Sequence, residues 1–480
     1  MTVMWGTGAL GADRSGRGPA GAEVASRRAA AFRREATSRR PAAGHWLPLL
    51  PLIATVLLLA APLPEGTEAG TGGIAPADLA SAALVLFCLA RAARARRRPL
   101  TPAAALVFAL PAVAVAVTTV TAADPSAALP GLIRYLQVFV LVPVAVLLLI
   151  RDARDFRVIA GCLVVLALAQ GAIGVRQYAT GTGASYMGED IRAVGTFGPT
   201  DVMGMATVVA YGLLAAAAIA LRPPPGAPRW LRPAAVVAAG ALVVPLALSF
   251  SRGSWIATGL AALVMIALTG LRQAVRALAV LTAVAVVLVG GFGVGSQLIS
   301  ERLSSITRVT AAPDRSVSDR YTMWAAAVSM WREKPVTGVG PKGFPAHRDG
   351  HASIGLSSGG DTAGAGHAFL RQPLLSPHNM YLLILSEQGL IGAVAFTGSW
   401  AAILARGVSG LTRSRPRPAR RRAADCGLLA VALTLWQTVD FLYADIGGPS
   451  TVLTGVVLGL GAWWALAVPG SPVRDEATAA

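Results

Sequence analysis

The sequence predicts an all-α, polytopic integral membrane protein: about twelve transmembrane helices, with a large extracytoplasmic loop between helices 9 and 10. Three observations predict it. Of 480 residues, 54% are hydrophobic and only 14% charged, against about 25% charged in an ordinary soluble domain. Whole stretches lack charge and reach the roughly 20 apolar residues that a bilayer-crossing helix needs. The basic residues, finally, crowd into alternate intervals between those stretches. An ordinary soluble enzyme and a disordered chain are both excluded.

Taken in order, residues 1–45 are rich in Gly, Ala and Arg without apolar periodicity and read as a disordered basic cytoplasmic tail. They are too long for the charged region of a signal peptide, and no small-residue cleavage site follows. Within 46–295, the runs 47–63, 74–90, 103–122, 130–150, 157–177, 202–221, 233–250, 254–270 and 275–295 give helices 1–9. The first two are short, and the first carries Pro48, Pro51 and Pro62. Residues 296–379 form the outer loop, too long for a plain connector. Within 380–468, the runs 380–404, 424–443 and 450–468 give helices 10–12, and 469–480 is a second cytoplasmic tail.

Orientation follows from the arginines. Twenty-nine lie in the two tails and in the intervals after helices 2, 4, 6, 8 and 10. Short basic loops stay cytoplasmic, so both termini are placed there. The net charge of +18 is thus a topology signal, and no nucleic-acid partner is expected. Cys88, Cys162 and Cys426 fall in apolar stretches without CxxC spacing, so neither a disulfide nor a metal site is expected from them. No internal repeat of fixed period is visible.

The informative residues lie on the outer side. In the long loop, Ser318 is positioned to cap a helix on which Trp324, Ala327, Val328 and Trp331 recur at helical spacing, ending before Pro335. Arg320 falls on that apolar stripe, either snorkelling to the membrane surface or aimed inward at an anion. Gly338, Gly340 and Gly343 satisfy GxGxxG, but a helix precedes them and Pro341 interrupts. A tight turn with close backbone approach fits better than a dinucleotide site. Residues 350–366 are Gly-, Ser- and Ala-rich and read as mobile. His347, His351 and His367 lie around them without the acidic partners of a metal site.

Ser376 and Pro377 form a helix-start signal that places His378 in a first turn at the membrane surface. The positive helix end disfavours imidazolium there, so a neutral His378 can accept a proton; the alternative is an imidazole packed at the interface. Arg252, between helices 7 and 8, is held at or near membrane depth, which makes it a functional candidate or a snorkelling side chain. The loop after helix 5 carries Arg192 to Pro199, with Asp201 at the mouth of helix 6. Glu387 lies nine residues past His378 on another face, its partner left open, Arg134 being one option. Gln137, Gln170, Asp440 and Asp445 are further polar residues in or near the spans.

These segments resemble the O-antigen ligase and polymerase superfamily of bacterial membrane glycosyltransferases. The likeness rests on Ser251-Arg252-Gly253-Ser254-Trp255, Arg320-Tyr321-Thr322-Met323-Trp324, Lys334-Pro335-Val336-Thr337-Gly338-Val339-Gly340, Gly343-Phe344 and Pro377-His378-Asn379-Met380-Tyr381-Leu382. It continues through Glu387-Gln388-Gly389-Leu390-Ile391-Gly392, and the Arg192…Gly195-Thr196-Phe197 loop is similar too. The motifs span about residues 190–400. The chain departs from the pattern at Gly198-Pro199-Thr200-Asp201, where Asp201 replaces an amide, and 350–366 reads as an insertion.

The resemblance implies a GT-C-like fold in the bacterial cytoplasmic membrane. It implies transfer of an undecaprenyl-diphosphate-linked glycan to an acceptor hydroxyl at the outer face, without metal or other cofactor. The partners implied are the lipid-linked oligosaccharide donor, the bilayer, and a glycan, lipid or protein acceptor. His378, Arg252 and Arg320 are the implied catalytic residues. Arg192, Asp201, Trp324, Asn379 and Glu387 are candidate substrate-binding residues. The chemistry agrees with this, since arginine offers permanently charged, bidentate donors to a diphosphate, and a base at His378 would give direct displacement with inversion. The rival is a polytopic transporter of a small anion or solute, such as a bicarbonate-carrier-like relative. A transporter should bury ionisable groups near mid-membrane and often repeats itself, whereas the unusual residues here cluster at one face.

Overall fold

A computed structural model describes residues 46–62, 75–95, 100–186, 192–201, 203–270, 275, 315–352, 360–364, 370–372, 375–413 and 418–467. By contacts the chain divides into Met1–Pro48 and Leu49–Ala480. The elements below all belong to the second unit. The expected basic tail, nearly all of helix 9, His367 and the C-terminal tail lie outside the described residues.

The helices follow the apolar runs closely. They are α1 (Leu50–Leu57), α2 (Pro76–Ala95), α3 (Pro102–Val120), α4 (Pro125–Leu149), α5 (Ala153–Thr180), α6 (Gly204–Leu221), α7 (Leu231–Leu248) and α8 (Arg252–Thr269). After the undescribed stretch come α9 (Arg315–Glu333), α10 (Phe344–His351), α11 (Met380–Thr412), α12 (Ala424–Asp440) and α13 (Thr451–Leu466). Eight of these are long and apolar enough to cross a membrane; α1, with its 3-10 extension, and α13 are shorter apolar helices. The protein is therefore a multi-helix membrane protein.

Local chemistry explains the boundaries. Thr101, Asp124, Asp152 and Ser251 each accept backbone N–H groups at the starts of α3, α4, α5 and α8, satisfying donors that a helix leaves orphaned. Gly181, at φ 68°, closes α5 in the left-handed conformation. Within α4, residues Gln137–Leu141 widen into a π-helical turn.

Packing is helix on helix. α5 lies against α6 and α6 against α7, while α13 packs on the C-terminal half of α4, α8 on α12, and α11 on α3. α13 and α12 are buried along nearly their whole length. Several polar groups inside are paired, as a bilayer interior favours. The Tyr211 hydroxyl meets Gln437 Oε1, and Trp436 Nε1 donates to Thr258 Oγ1 at 2.9 Å. At the heads of α5 and α12, Arg157 grips Asp425 with two hydrogen bonds of 2.7 and 2.8 Å. Cys88, Cys162 and Cys426 are free thiols.

Three expectations need correction. The chain is not wholly α-helical. Ala184–Tyr186, Gly360–Gly364 and Leu370–Gln372 form a three-stranded antiparallel sheet, β1-β2-β3, in which Ala184 pairs with Gly364 and Asp361 with Arg371. These three segments lie outside any helix, and their backbones satisfy one another. The Gly/Ser-rich stretch thereby contributes β2. Second, α9 begins at Arg315, three residues before Ser318. Its buried side is Met323, Ala326, Ala327 and Met330, one residue off the expected stripe, because Trp324 and Trp331 turn their indoles to backbone carbonyls instead. Third, α11 starts at Met380 rather than after Ser376. Asn379 is its N-cap, and His378, at φ 48°, cannot belong to a right-handed turn.

Candidate functional site

Among the described residues only three non-glycine positions adopt a left-handed φ: Phe250 at 49°, Lys342 at 59° and His378 at 48°. Lys342 and His378 fall within segments singled out from the sequence, and Phe250 directly precedes one. Such conformations persist only where the surroundings impose them, and they gather at functional sites.

The surroundings of His378 impose its conformation from both sides. Trp324 Nε1 on α9 donates to the Pro377 carbonyl at 2.9 Å. Asn379 Oδ1 accepts from Leu382 N at 3.0 Å, while its Nδ2 donates to the Leu442 carbonyl at 3.1 Å. Met380 N reaches the carbonyls of Phe441 and Ala444. His378 is half-buried between α9, the head of α11 and the segment after α12. Burial lowers its pKa below the usual imidazole value; the nearby Asp445 carboxylate pulls upward and the Arg320 guanidinium adds to the lowering. The imidazole is therefore neutral at neutral pH. Asp445 Oδ2 and Asp440 Oδ1 are buried without a hydrogen-bond partner among the described residues.

Arg320, half-buried on α9, lies within electrostatic range of both His378 and Asp440. Arg252 is the first residue of α8, next to the Ser251 cap. A Cβ on its neighbour Gly253 would lie 3.3 Å from Tyr443 Cβ, so the head of α8 abuts the segment that carries Asp445. The structure thus brings Arg252, Arg320 and His378 to one end of the bundle.

The supporting residues each hold backbone. Both oxygens of Glu387 accept amides of the Gly-rich turn, from Lys342 N at 2.9 Å and Phe344 N at 3.0 Å. Arg134 is not its partner; that guanidinium bonds Asp78 Oδ1 at 2.5 Å and Gln137 Oε1 at 3.1 Å. The turn itself docks on a break in α11 at Gly389, φ 60°. Val339 N and Gly340 N donate to the Ser386 and Glu387 carbonyls, and Leu390 N and Ile391 N donate to those of Pro335 and Val336. A Cβ on Gly338 or Gly389 would fall 2.4 Å from the facing backbone. The expected close backbone approach is found, with α11 as its partner.

Asp201 is buried, receives Ser450 N at 3.0 Å, and has its carboxyl pushed up by burial against the hydrogen bonds that pull it down. The Arg192 loop is held by α5. Gln177 Oε1 accepts Val194 N and Gly195 N, and Gln170 bonds Thr196 through both its amide atoms. Arg192 itself is half-buried and pairs with Ala184 through backbone. His347 Nδ1 bonds the Gly343 carbonyl and His351 Nδ1 bonds Ser329 Oγ, each at 2.9 Å. Among the described residues no three His, Cys, Asp or Glu side chains are arranged to hold a metal ion.

Sequence reasoning missed Asp78, the partner of Arg134, and Gln177. Asp78 sits in the first turn of α2, where an acidic residue also reads as a plain helix-start signal. Gln177 gave no signal apart from being polar at the end of an apolar run.

Among curated proteins the chain has no match. Residues 234–397, about a third of the chain, match the family model described as O-antigen ligase. They take in Arg252, Arg320, the Gly338–Phe344 turn, His378 and the Gly389 break. That match supports the likeness of this part of the chain to the O-antigen ligase and polymerase family.

Proposed function

We propose that the protein is a glycosyltransferase of the bacterial cytoplasmic membrane. It moves a glycan from an undecaprenyl-diphosphate donor to an acceptor hydroxyl on the outer face. His378 takes the proton from the hydroxyl as that oxygen attacks the anomeric carbon. Arg252 and Arg320 hold the departing diphosphate and take the electrostatic part that a divalent ion plays elsewhere. Asp445 stabilises the imidazolium that forms. Direct displacement inverts the anomeric carbon. The juxtaposition of Arg320 with a neutral His378, locked through the Trp324–Pro377 bond, carries this reading.

In this reading Trp324, Asn379, Asp201 and Glu387 position the site, because the polar groups described for them are engaged with backbone. Arg192, whose loop α5 holds, is a binding residue for the glycan end of a substrate. The acceptor is another lipid-linked glycan for a polymerase, or a lipid, wall polymer or protein for a ligase. Both termini are cytoplasmic, as the arginine pattern orients them.

The test is transfer from purified lipid-linked donor in proteoliposomes. His378→Ala should lower kcat by about 10²–10⁴-fold, the usual cost of losing a general base. Activity near wild type would remove His378 from the role, and solute flux without glycan transfer would replace the reading by the transporter.

A further inference from the structure

Asp445 belongs to a short strap, residues 441–450, that runs from the end of α12 to the start of α13. Its exposed middle is Gly447-Gly448, with Gly448 at a left-handed φ of 70°. Adjacent glycines lose the most conformational freedom on ordering, so such a stretch keeps one place only where other groups hold it. Two charged side chains reach it from other elements. From the mouth of α6, Asp201 accepts Ser450 N at 3.0 Å, and a Cβ on Gly448 would fall 2.6–2.7 Å from the Asp201 side chain. From α4, Arg134 Nη2 donates to the Gly448 carbonyl at 3.4 Å. That bond is long, but the guanidinium making it is fixed from behind. Its Nη1 donates to Asp78 Oδ1 at 2.5 Å and to Gln137 Oε1 at 3.1 Å, and Gln137 Nε2 donates to Ser81 Oγ at 2.7 Å. One planar fork thus joins α2, α4 and the strap.

The strap meets the site at its other end. Met380 N donates to the Phe441 and Ala444 carbonyls, two residues past His378. The Asp445 carboxylate lies within electrostatic range of His378, Glu387 and Asp440, and its Oδ1 comes within 4.0 Å of where a Cβ on Gly447 would stand. The carboxylate therefore lies against the glycine pair that Arg134 and Asp201 hold. We infer that Arg134, fixed by Asp78 and Gln137, is a positioning residue that anchors Gly448 and through it sets the Asp445 carboxylate beside His378. This rests on the base role proposed above for His378.

The test is the pH profile of kcat/KM for glycan transfer by the full chain in proteoliposomes, with Arg134→Gln and Arg134→Lys. Arg134→Gln should lower kcat by about tenfold to a hundredfold, the usual scale for a small misplacement at a site. It should also move the acid limb to lower pH, because a displaced Asp445 no longer supports the imidazolium. Loss of the positive charge by itself acts the other way, since removing a cation makes the imidazolium easier to form. The sign of the shift thus separates positioning from a field effect. Arg134→Lys keeps the charge and a pair with Asp78, which guards against misfolding, but a single nitrogen does not serve Asp78, Gln137 and Gly448 together; its limb should move the same way by less. In an Asp445→Asn background Arg134→Gln should move the limb no further. A limb that stays or rises in the single variants overturns the inference, as does a further shift in the double variant. So does a lowered Tm with kcat and profile unchanged, which would leave Arg134 as a tie between α2 and α4. Glycan transfer by wild type and its loss in His378→Ala, measured on the same preparations, report separately on the proposed reaction.

Discussion

A left-handed backbone at a histidine costs on the order of 1–3 kcal/mol, and at His378 that cost is met by bonds from Trp324 and around Asn379. Replacing Trp324 by Phe keeps the ring and deletes the bond to Pro377. A kcat loss of about 10–100-fold with little change in KM is expected, since small misplacements of a base are costly; unchanged kcat would show that the bond does not position His378. The charges around the imidazole predict a pH effect with a definite sign. In the proposed role of general base His378 works only when neutral, so activity should fall as pH drops through its pKa, which burial holds below the usual value near 6.5. Asp445 pulls that pKa up. Asp445→Asn therefore moves the acid limb of the kcat/KM profile to lower pH. A limb that stays in place or moves up would detach Asp445 from the imidazole.

At the scale of the element, the joint between the 335–343 turn and α11 depends on two glycines. Gly389→Ala places a methyl 2.4 Å from the Val336 carbonyl carbon at a φ of 60°, and should destabilise the protein by at least about 2 kcal/mol. Gly398, on the same helix with open space around it, is the control, and its Ala variant should melt like wild type in detergent. The elements differ in how legible they were. Apolar runs predicted the helices because hydropathy is a local property and a bilayer reads little else. The start of α11 was misplaced because Ser376 and Pro377 offer a standard local start, overridden by tertiary bonds that hold His378 out of the helix. The sheet was invisible, because β2 lies in Gly-rich sequence and pairs with a loop some 180 residues away. Gly340 and Glu387 were each noticed, but nothing in sequence says that residues so far apart share a hydrogen bond.

At the scale of the whole molecule, charge is sorted by end. The end away from the site is tied by Arg157 and the buried Asp425. Asp425→Ala strands a half-buried guanidinium, and such losses cost about 3–5 kcal/mol when the pair is buried. A lowered Tm is expected with kcat unaffected at permissive temperature; lost catalysis in the folded variant would show that the two ends communicate. The likeness to the family was readable because short, widely spaced motifs fall in one order. Which residues carry chemistry and which hold backbone was not readable, since Glu, Asn and Trp serve either use. The docking of the turn on the α11 break also sets a rule for building chimeras. Residues 335–343 and 386–391 interlock backbone to backbone, so an outer loop grafted from a relative should travel with both segments or with neither. A crossover placed between them, however well matched in sequence, would join two halves of different locks.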